Sequence, residues 1–109
     1  MCGIAGFIDL TKQTSTDVLI GMRDSLTHRG PDAGAEYFLN SDSFSVGLAH
    51  RRLSIIDTSA SANQPLHFQH LSMVFNGEIY NYREIKEELS SAGYSFKTNS
   101  DSEVVLLAF

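Results

Sequence analysis

The residue with the clearest chemical potential is Cys2, the only cysteine of the chain, which directly follows Met1. Because its side chain is small, we expect methionine aminopeptidase to remove Met1 and leave a thiol and a free α-amino group on one residue. Thiols have pKa values near ~8.5 and α-amines near ~7.7–8.0, so such an amine is far easier to deprotonate near pH 7 than a lysine. The amine can therefore serve as general base for its own thiol, directly or through a water.

A lone cysteine can also have a structural, redox or metal-binding role. It is often a small buried apolar residue, and a redox role would need a second cysteine to resolve a sulfenic acid within the chain. A zinc site would need partners, and the four histidines (His28, His50, His67, His70) are scattered without metal-ligand spacing. The sequence predicts no metal site, but position alone does not decide between a nucleophile and a structural cysteine.

Composition limits the classes of function. The net charge is −5 and the 8 Lys and Arg residues form no basic cluster, which argues against nucleic acid or an anionic membrane as partner. No apolar run is long enough to cross a bilayer, and no basic segment precedes an apolar one as in a secretory signal. A chain of 109 residues suits one domain or part of one. We expect a soluble, cytoplasmic protein.

The elements that would position Cys2 can be read from apolar spacing and turn signals. Gly3–Leu10 reads as a short buried strand. Thr16 predicts the cap of a helix from Asp17, with Val18, Met22 and Leu26 on one face, that ends before Gly30-Pro31. Further strand-like segments, interrupted by the polar turn 40–43 and a Ser/Ala/Asn-rich loop ending at Pro65, are 36–39, 44–49, 53–57 and 71–75.

Two helices with start signals follow. Asn81 with Glu84, and Ser100 with Glu103, have the three-residue spacing of a side-chain cap and its reciprocal acceptor. Gly93 predicts the end of the first of these helices. The second ends in apolar residues, so we expect the segment to be cut from a longer chain. The short strands and polar turns favour an α+β fold with antiparallel sheet over a doubly wound parallel one.

Six motifs in order give the sequence a family resemblance: MCGIAGF, HRGPD (28–32), AHRRLSIID (49–57), QPL (64–66), FNGEIYNYRE (75–84) and TNSDSEV (98–104). Together they resemble the N-terminal glutaminase domain of glutamine-hydrolysing asparagine synthetases, which are class II glutamine amidotransferases of the N-terminal-nucleophile hydrolase fold. The resemblance implies a four-layer αββα sandwich of antiparallel sheets, of which residues 1–109 would be an N-terminal portion. The rest of the domain and the synthetase domain would lie outside these residues.

The resemblance implies that Cys2 is the nucleophile and that the Asn76 side chain and the Gly77 N–H form the oxyanion hole. Such a hole needs preorganised neutral donors where charge develops. Read without the resemblance, Asn-Gly between two apolar runs is a strong signal for a hairpin turn.

The other implied roles concern the amino-acid end of glutamine. Arg52 would bind the α-carboxylate, since a planar guanidinium can form two parallel hydrogen bonds to a carboxylate. On an extended backbone only one of Arg51 and Arg52 can face a pocket. Alternatively, both arginines could be solvated. Asp101 and Glu78 would bind the α-ammonium, although an acid in a first helical turn also suits the helix dipole. Backbone of four residues would line the same substrate: Leu53, Ser54, Ile55 and Ile56.

Supporting roles complete the set. Arg29 and Asp32 would hold a loop beside the nucleophile through side-chain to backbone bonds. His50 is expected to be a structural histidine with satisfied hydrogen bonds and no chemical role.

The implied activity is hydrolysis of L-glutamine to glutamate and ammonia, with ammonia passed to a synthetase domain in the same longer chain that amidates aspartate. ATP and magnesium would act in that domain, and no cofactor is implied here. The alternatives are a non-catalytic glutamine-sensing or subunit-docking domain and a different carboxylate acceptor. A homodimer is left open, and nucleic acid and membrane are not expected as partners.

Overall fold

The computed structural model of the chain describes residues 1–54 and 59–109. The strands are β1 (Gly3–Asp9), β2 (Ala33–Asn40), β3 (Ser45–Arg52), β4 (Leu66–Phe68) and β5 (Leu71–Met73). The helices are α1 (Thr16–Asp24), α2 (Tyr82–Ser91) and α3 (Asp101–Ala108), and a 3₁₀ turn covers Ala60–Ala62. No helix in the described part of the chain is long and apolar enough to span a membrane.

Two antiparallel sheets organise these elements. The first has the strand order β1-β3-β2, and the second is the β4-β5 hairpin. In the first sheet Gly3 pairs with Arg51 and Asp9 with Ser45, so the start of β1 lies beside the end of β3. The α+β class with antiparallel sheet is therefore confirmed.

Helix α1 covers one face of the three-stranded sheet. Leu19 is fully buried under it, where its side chain lies close to Gly47 of β3. The predicted helix is confirmed, but it begins at Thr16 and its N-cap is Ser15, so the predicted cap at Thr16 is wrong. Its predicted apolar face is wrong at Val18, which is 50% exposed. The residue that packs against the sheet is Leu19 rather than its neighbour Val18. Periodicity gives the spacing of apolar residues along the helix, but it does not show which side of the helix faces the sheet.

Strand β1 is buried on one face only. Ile4 is 48% and Ile8 is 73% exposed, whereas Gly3 on the opposite face is buried. The expectation of a buried strand is thus wrong for alternate residues, because neighbouring side chains of a strand point to opposite faces. Tyr37 of β2 contacts the ring of His67, with ring centroids 4.9 Å apart, so the second sheet reaches part of this outer face.

The C-terminal helices keep their predicted ends but not all of their predicted caps. At Gly93, φ is +101°, and the Tyr94 N–H to Leu89 carbonyl bond closes α2 as glycine after a helix typically does. Asn81 is the N-cap residue of α2 without a side-chain cap bond. At α3 the Ser100 side chain accepts from the Ser102 N–H at 3.2 Å, so one of the two predicted caps is made.

Two chain segments differ from their prediction. Strand β4 was not predicted, because a three-residue strand carries little periodicity. It completes a hairpin whose apolar residues pack with α3 in a cluster around Leu66, Leu106 and Leu107. The predicted strand 53–57 begins with two residues outside any strand, Leu53 and Ser54, and its remainder lies outside the described residues.

Candidate active site

The thiol of Cys2 lies against the main chain that follows β3. The Leu53 N–H donates to Cys2 Sγ at 3.3 Å, and the Leu53 carbonyl lies 3.7 Å from the same sulfur. Arg29 Nε donates to the Cys2 carbonyl at 3.1 Å. The pairing of Gly3 with Arg51 produces this proximity, since it brings the residues before β1 alongside those after β3.

The loop carrying HRGPD is bonded to the same end of β3. The Asp32 carboxylate accepts the Ser54 N–H at 2.7 Å, and the Asp32 N–H donates to the Arg52 carbonyl at 3.0 Å. Gly30 lies so close to β3 that a Cβ there would be 2.3 Å from the Arg51 carbonyl carbon. A side chain at position 30 would therefore push this loop away from the nucleophile.

The two neighbouring arginines point to opposite sides of β3. Arg51 Nε donates to the Gly30 carbonyl at 2.8 Å, on the loop side. Arg52 is 7% exposed and its Nη1 donates to the Ser59 carbonyl at 2.6 Å and to Asn63 Oδ1 at 2.7 Å. Its guanidinium lines a cavity, whereas Arg51 does not.

A cavity of about 370 Å³ opens beside the thiol. Seven of the residues singled out in the sequence line it: Cys2, Arg52, Leu53, Asn76, Gly77, Glu78 and Asp101. They come from four distant parts of the chain, which the fold brings to one place. Ser54 does not line the cavity; its N–H is bonded to Asp32. Ile55 and Ile56 lie outside the described residues.

The charges of this cavity are arranged for a small zwitterion. The buried Arg52 guanidinium provides a positive group, and Glu78 and Asp101 provide negative ones. The Asp101 Oδ2 accepts the Ile79 N–H at 2.8 Å, which fixes the first residue of α3 against the segment that carries Glu78. This chemistry matches an amino acid with a free α-carboxylate and α-ammonium.

The segment at Asn76 and Gly77 is not a hairpin turn. It lies between β5 and α2, which are not paired strands, so the hairpin interpretation is wrong. A Cβ at Gly77 would be 2.8 Å from the Phe75 ring. The glycine therefore lets the main chain close over the aromatic ring and face the cavity.

His50 does not meet the expectation of a satisfied structural histidine. It is 1% exposed, and neither ring nitrogen makes a well-aligned hydrogen bond with any described residue. Burial lowers the pKa of His50; the nearby main chain of Phe75 partly opposes this, and the Arg52 charge lowers it further. The ring is thus held neutral beside the cavity that it lines.

Gln64 was not singled out as a site residue, although it belongs to the QPL motif. It is 6% exposed and lines the same cavity. Its Oε1 accepts the Phe75 N–H at 2.5 Å and its Nε2 donates to Ser102 Oγ at 3.2 Å. In the sequence Gln64 is only a polar residue before Pro65, at the end of a loop. Nothing in that position indicates that its side chain bonds to Phe75 and Ser102.

Comparison with known proteins finds relatives along the whole chain. The chain is 42% identical over 115 residues to asparagine synthetase [glutamine-hydrolyzing] 1 of Bacillus subtilis (strain 168), covering 100% of this chain and 17% of that protein. It is 38% identical over 117 residues to asparagine synthetase B [glutamine-hydrolyzing] of Escherichia coli (strain K12), covering 100% and 18%. It is 40% identical over 122 residues to Amidase chry2 of Gibberella zeae, covering 100% and 18%.

These relatives are much longer than the chain, which spans less than a fifth of each of the three. The glutamine amidotransferase domain family matches residues 1–109, the full length of the printed sequence. The chain therefore belongs to the glutamine amidotransferase domain family.

Proposed function

We propose that this chain hydrolyses L-glutamine to glutamate and ammonia, with Cys2 as an N-terminal nucleophile. The observation that carries the proposal is the position of the thiol. It is held by Leu53 at a cavity that is also lined by Arg52 and Asp101, which have the charges to bind both ends of an amino acid.

The reaction begins once Met1 has been removed. The α-amine of Cys2 takes the thiol proton, and the sulfur attacks the side-chain carbonyl carbon of glutamine. The oxyanion that forms is stabilised by the Asn76 amide and the Gly77 N–H. The proton then passes to the leaving nitrogen, the C–N bond breaks and ammonia departs. A water attacks the resulting thioester, which releases glutamate and returns the proton to the thiol.

Substrate binding follows from the charges around the cavity. Arg52 uses Nη1 for the Ser59 and Asn63 oxygens, and its N–H groups on Nε and Nη2 supply the fork for the α-carboxylate. Glu78 and the second oxygen of Asp101 bind the α-ammonium. The main chain of Leu53 borders the substrate. Arg29 bonds to the Cys2 carbonyl and Asp32 to the Ser54 N–H, and both hold the surrounding backbone in place.

The ammonia is proposed to serve a synthetase domain in a longer chain that amidates aspartate, as the names of two relatives suggest. ATP and magnesium would act there, and glutamine hydrolysis itself needs no cofactor. A different carboxylate acceptor is the second candidate, because another relative of similar identity is named an amidase.

We also propose that residues 1–109 are the N-terminal portion of a four-layer αββα sandwich. Helix α1 forms an outer layer on one face of the three-stranded sheet. The opposite face presents the exposed apolar side chains of Ile4 and Ile8. This pattern supports a second sheet as the next layer, since antiparallel sheets pack face to face through apolar residues.

The decisive experiment uses the complete natural chain. We expect its intact mass to lack Met1, and a glutamine-analogue electrophile to add one label on Cys2. Cys2→Ala should lower glutamine hydrolysis to background while the thermal unfolding temperature stays close to that of the parent chain.

Retained Met1 in a chain that hydrolyses glutamine would refute the role of the α-amine. A Cys2→Ala chain with parent activity would refute the nucleophile. A processed, folded chain without hydrolysis that still binds glutamine would favour the sensing or docking alternative.

A further inference from the structure

The main chain of Phe75 is held on its N–H side by a buried glutamine. The Phe75 N–H donates to Gln64 Oε1 at 2.5 Å, and the Gln64 side-chain amide reaches Ser102 Oγ at 3.2 Å. Phe75 directly precedes Asn76 and Gly77, and its ring supports Gly77. The hydrogen bond therefore acts on the residue next to the oxyanion donors.

The main-chain carbonyl of Phe75 acts on the buried ring of His50, and the two residues line the same cavity. The imidazole is buried and lies close enough to the Phe75 main chain to influence the pKa of His50, although neither ring nitrogen completes an aligned hydrogen bond with a described residue. A buried polar group without a partner is rare in folded proteins and destabilises them when nothing compensates it. The Phe75 carbonyl is the main-chain acceptor that acts on this ring.

The same segment is fixed at its far end. The Ile79 N–H donates to Asp101 Oδ2 at 2.8 Å. Residues 75–79 are thus tied to the N-terminal turn of α3 twice, once through Asp101 and once through Gln64 and Ser102. The oxyanion donors lie between these two attachments and belong to neither strand nor helix.

We propose that Gln64, at the N–H of Phe75, and His50, at its carbonyl, are positioning residues that hold the main chain of Phe75 and so fix the oxyanion hole of the Cys2 site. The inference rests on the proposed glutaminase function. Neither side chain touches the reacting atoms. Each acts through the main chain of Phe75, so its loss displaces the oxyanion donors and leaves the groups that bind the α-carboxylate and α-ammonium in place.

Kinetics on the complete natural chain separate these two effects. Gln64→Met keeps the side-chain length but removes the acceptor, and His50→Phe keeps a ring but removes the N–H. Small displacements of catalytic groups and of oxyanion donors raise the activation barrier. We therefore expect each variant to lower kcat about 10–100-fold. We expect the KM for glutamine to change less than about twofold, because the groups that bind the α-carboxylate and α-ammonium stay in place.

A second readout isolates the oxyanion. The γ-aldehyde analogue of glutamine accepts the Cys2 sulfur at its carbonyl carbon, and the oxygen that takes up the negative charge then lies in the hole. Its inhibition constant should rise by the same factor as kcat falls. Inhibition by L-glutamate, which reports binding of the amino-acid end alone, should stay within about twofold.

Matched variants control for the chemistry of each change. Gln13→Met and His70→Phe make the same replacements at exposed residues that do not line the cavity and should leave both inhibition constants unchanged. His50→Gln restores an N–H donor and should recover most of the kcat that His50→Phe loses.

The proposal is overturned if kcat is unchanged in the variants. It is also overturned if KM and glutamate inhibition shift as much as kcat, or if Gln64→Met or His50→Phe does not fold, because the residue is then structural only. An inactive parent chain that binds no aldehyde would refute the glutaminase function itself. An active parent with unaffected variants would refute only the positioning role.

Discussion

At the scale of single residues, Arg52 shows how one side chain combines two tasks. Nη1 bonds to the Ser59 carbonyl and to Asn63 Oδ1, and the residue also lines the cavity, where the proposed function assigns its other N–H groups to the substrate. Lysine keeps the charge but lacks the planar fork. We expect Arg52→Lys to raise the KM for glutamine about tenfold or more, with a much smaller effect on kcat, measured by steady-state hydrolysis.

The adjacent arginine is the control for this change. Arg51→Lys alters the same side chain on the opposite side of β3, where Nε contacts Gly30, and should leave the KM for glutamine within about twofold. An equal loss of kcat with an unchanged KM in Arg52→Lys would contradict the assignment of Arg52 to the α-carboxylate.

The residues that the sequence identified differ in kind from those that it missed. Alternation along an extended backbone predicts that only one of Arg51 and Arg52 faces a pocket, and the structure has this arrangement. The contributions of His50 and Gln64 depend on Phe75, which is 25 and 11 positions away along the chain. No local pattern encodes such distant main-chain partners.

At the scale of elements, the N-terminal turn of α3 depends on Glu103. Its carboxylate accepts the Lys97 N–H at 2.9 Å, the Thr98 N–H at 2.8 Å and the Thr98 hydroxyl at 2.7 Å. The predicted pairing of Glu103 with the Ser100 N–H is not made; that N–H donates to Thr98 Oγ1 at 3.1 Å. The glutamate thus fixes the loop before the helix that carries Asp101.

Glu103→Ala tests this role. Because a buried N–H without an acceptor costs about 1–3 kcal/mol, we expect the free energy of unfolding to fall by about 2 kcal/mol in urea denaturation. Glu87→Ala, at an exposed position of α2, is the control and should change it by less than about 0.5 kcal/mol. Equal stability of the two variants would show that the loop 97–98 does not need the carboxylate.

Most elements could be predicted, because their signals are local. The end of α2 at Gly93 needs only a residue that tolerates positive φ, and the polar turn 40–43 does join two strands. The face of α1 at Leu19 and the short strand β4 are determined by packing against other elements. Periodicity within nine or three residues is too weak to report such contacts.

At the scale of the whole molecule, the burial of His50 at the site makes the free energy of unfolding depend on pH. His50 lies under the cavity with Arg52 beside it on β3, and Cys2, Glu78 and Asp101 face the same space from other segments. Burial lowers the pKa of His50 below its ordinary value, with Arg52 adding to the effect. The folded chain therefore resists protonation of this ring, whereas the unfolded chain accepts a proton near its ordinary pKa of about 6.5.

The sign of the pH dependence follows from this difference. Above about pH 6.5 the ring is neutral in both states and contributes no pH dependence. As the pH falls below that value the unfolded chain binds more protons, so the free energy of unfolding decreases until the folded pKa is reached. One such group contributes a slope of at most about 1.4 kcal/mol per pH unit.

We expect urea denaturation between pH 7 and pH 5 to show this loss in the parent chain and a shallower slope in His50→Gln, which has no titrating ring. His70→Gln removes an exposed histidine and should retain the parent slope. Because the comparison is between slopes, a uniform destabilisation by either substitution does not affect it. Parallel curves for the parent and His50→Gln would mean that the buried ring is protonated as easily in the folded chain as in the unfolded one, against its burial beneath the cavity.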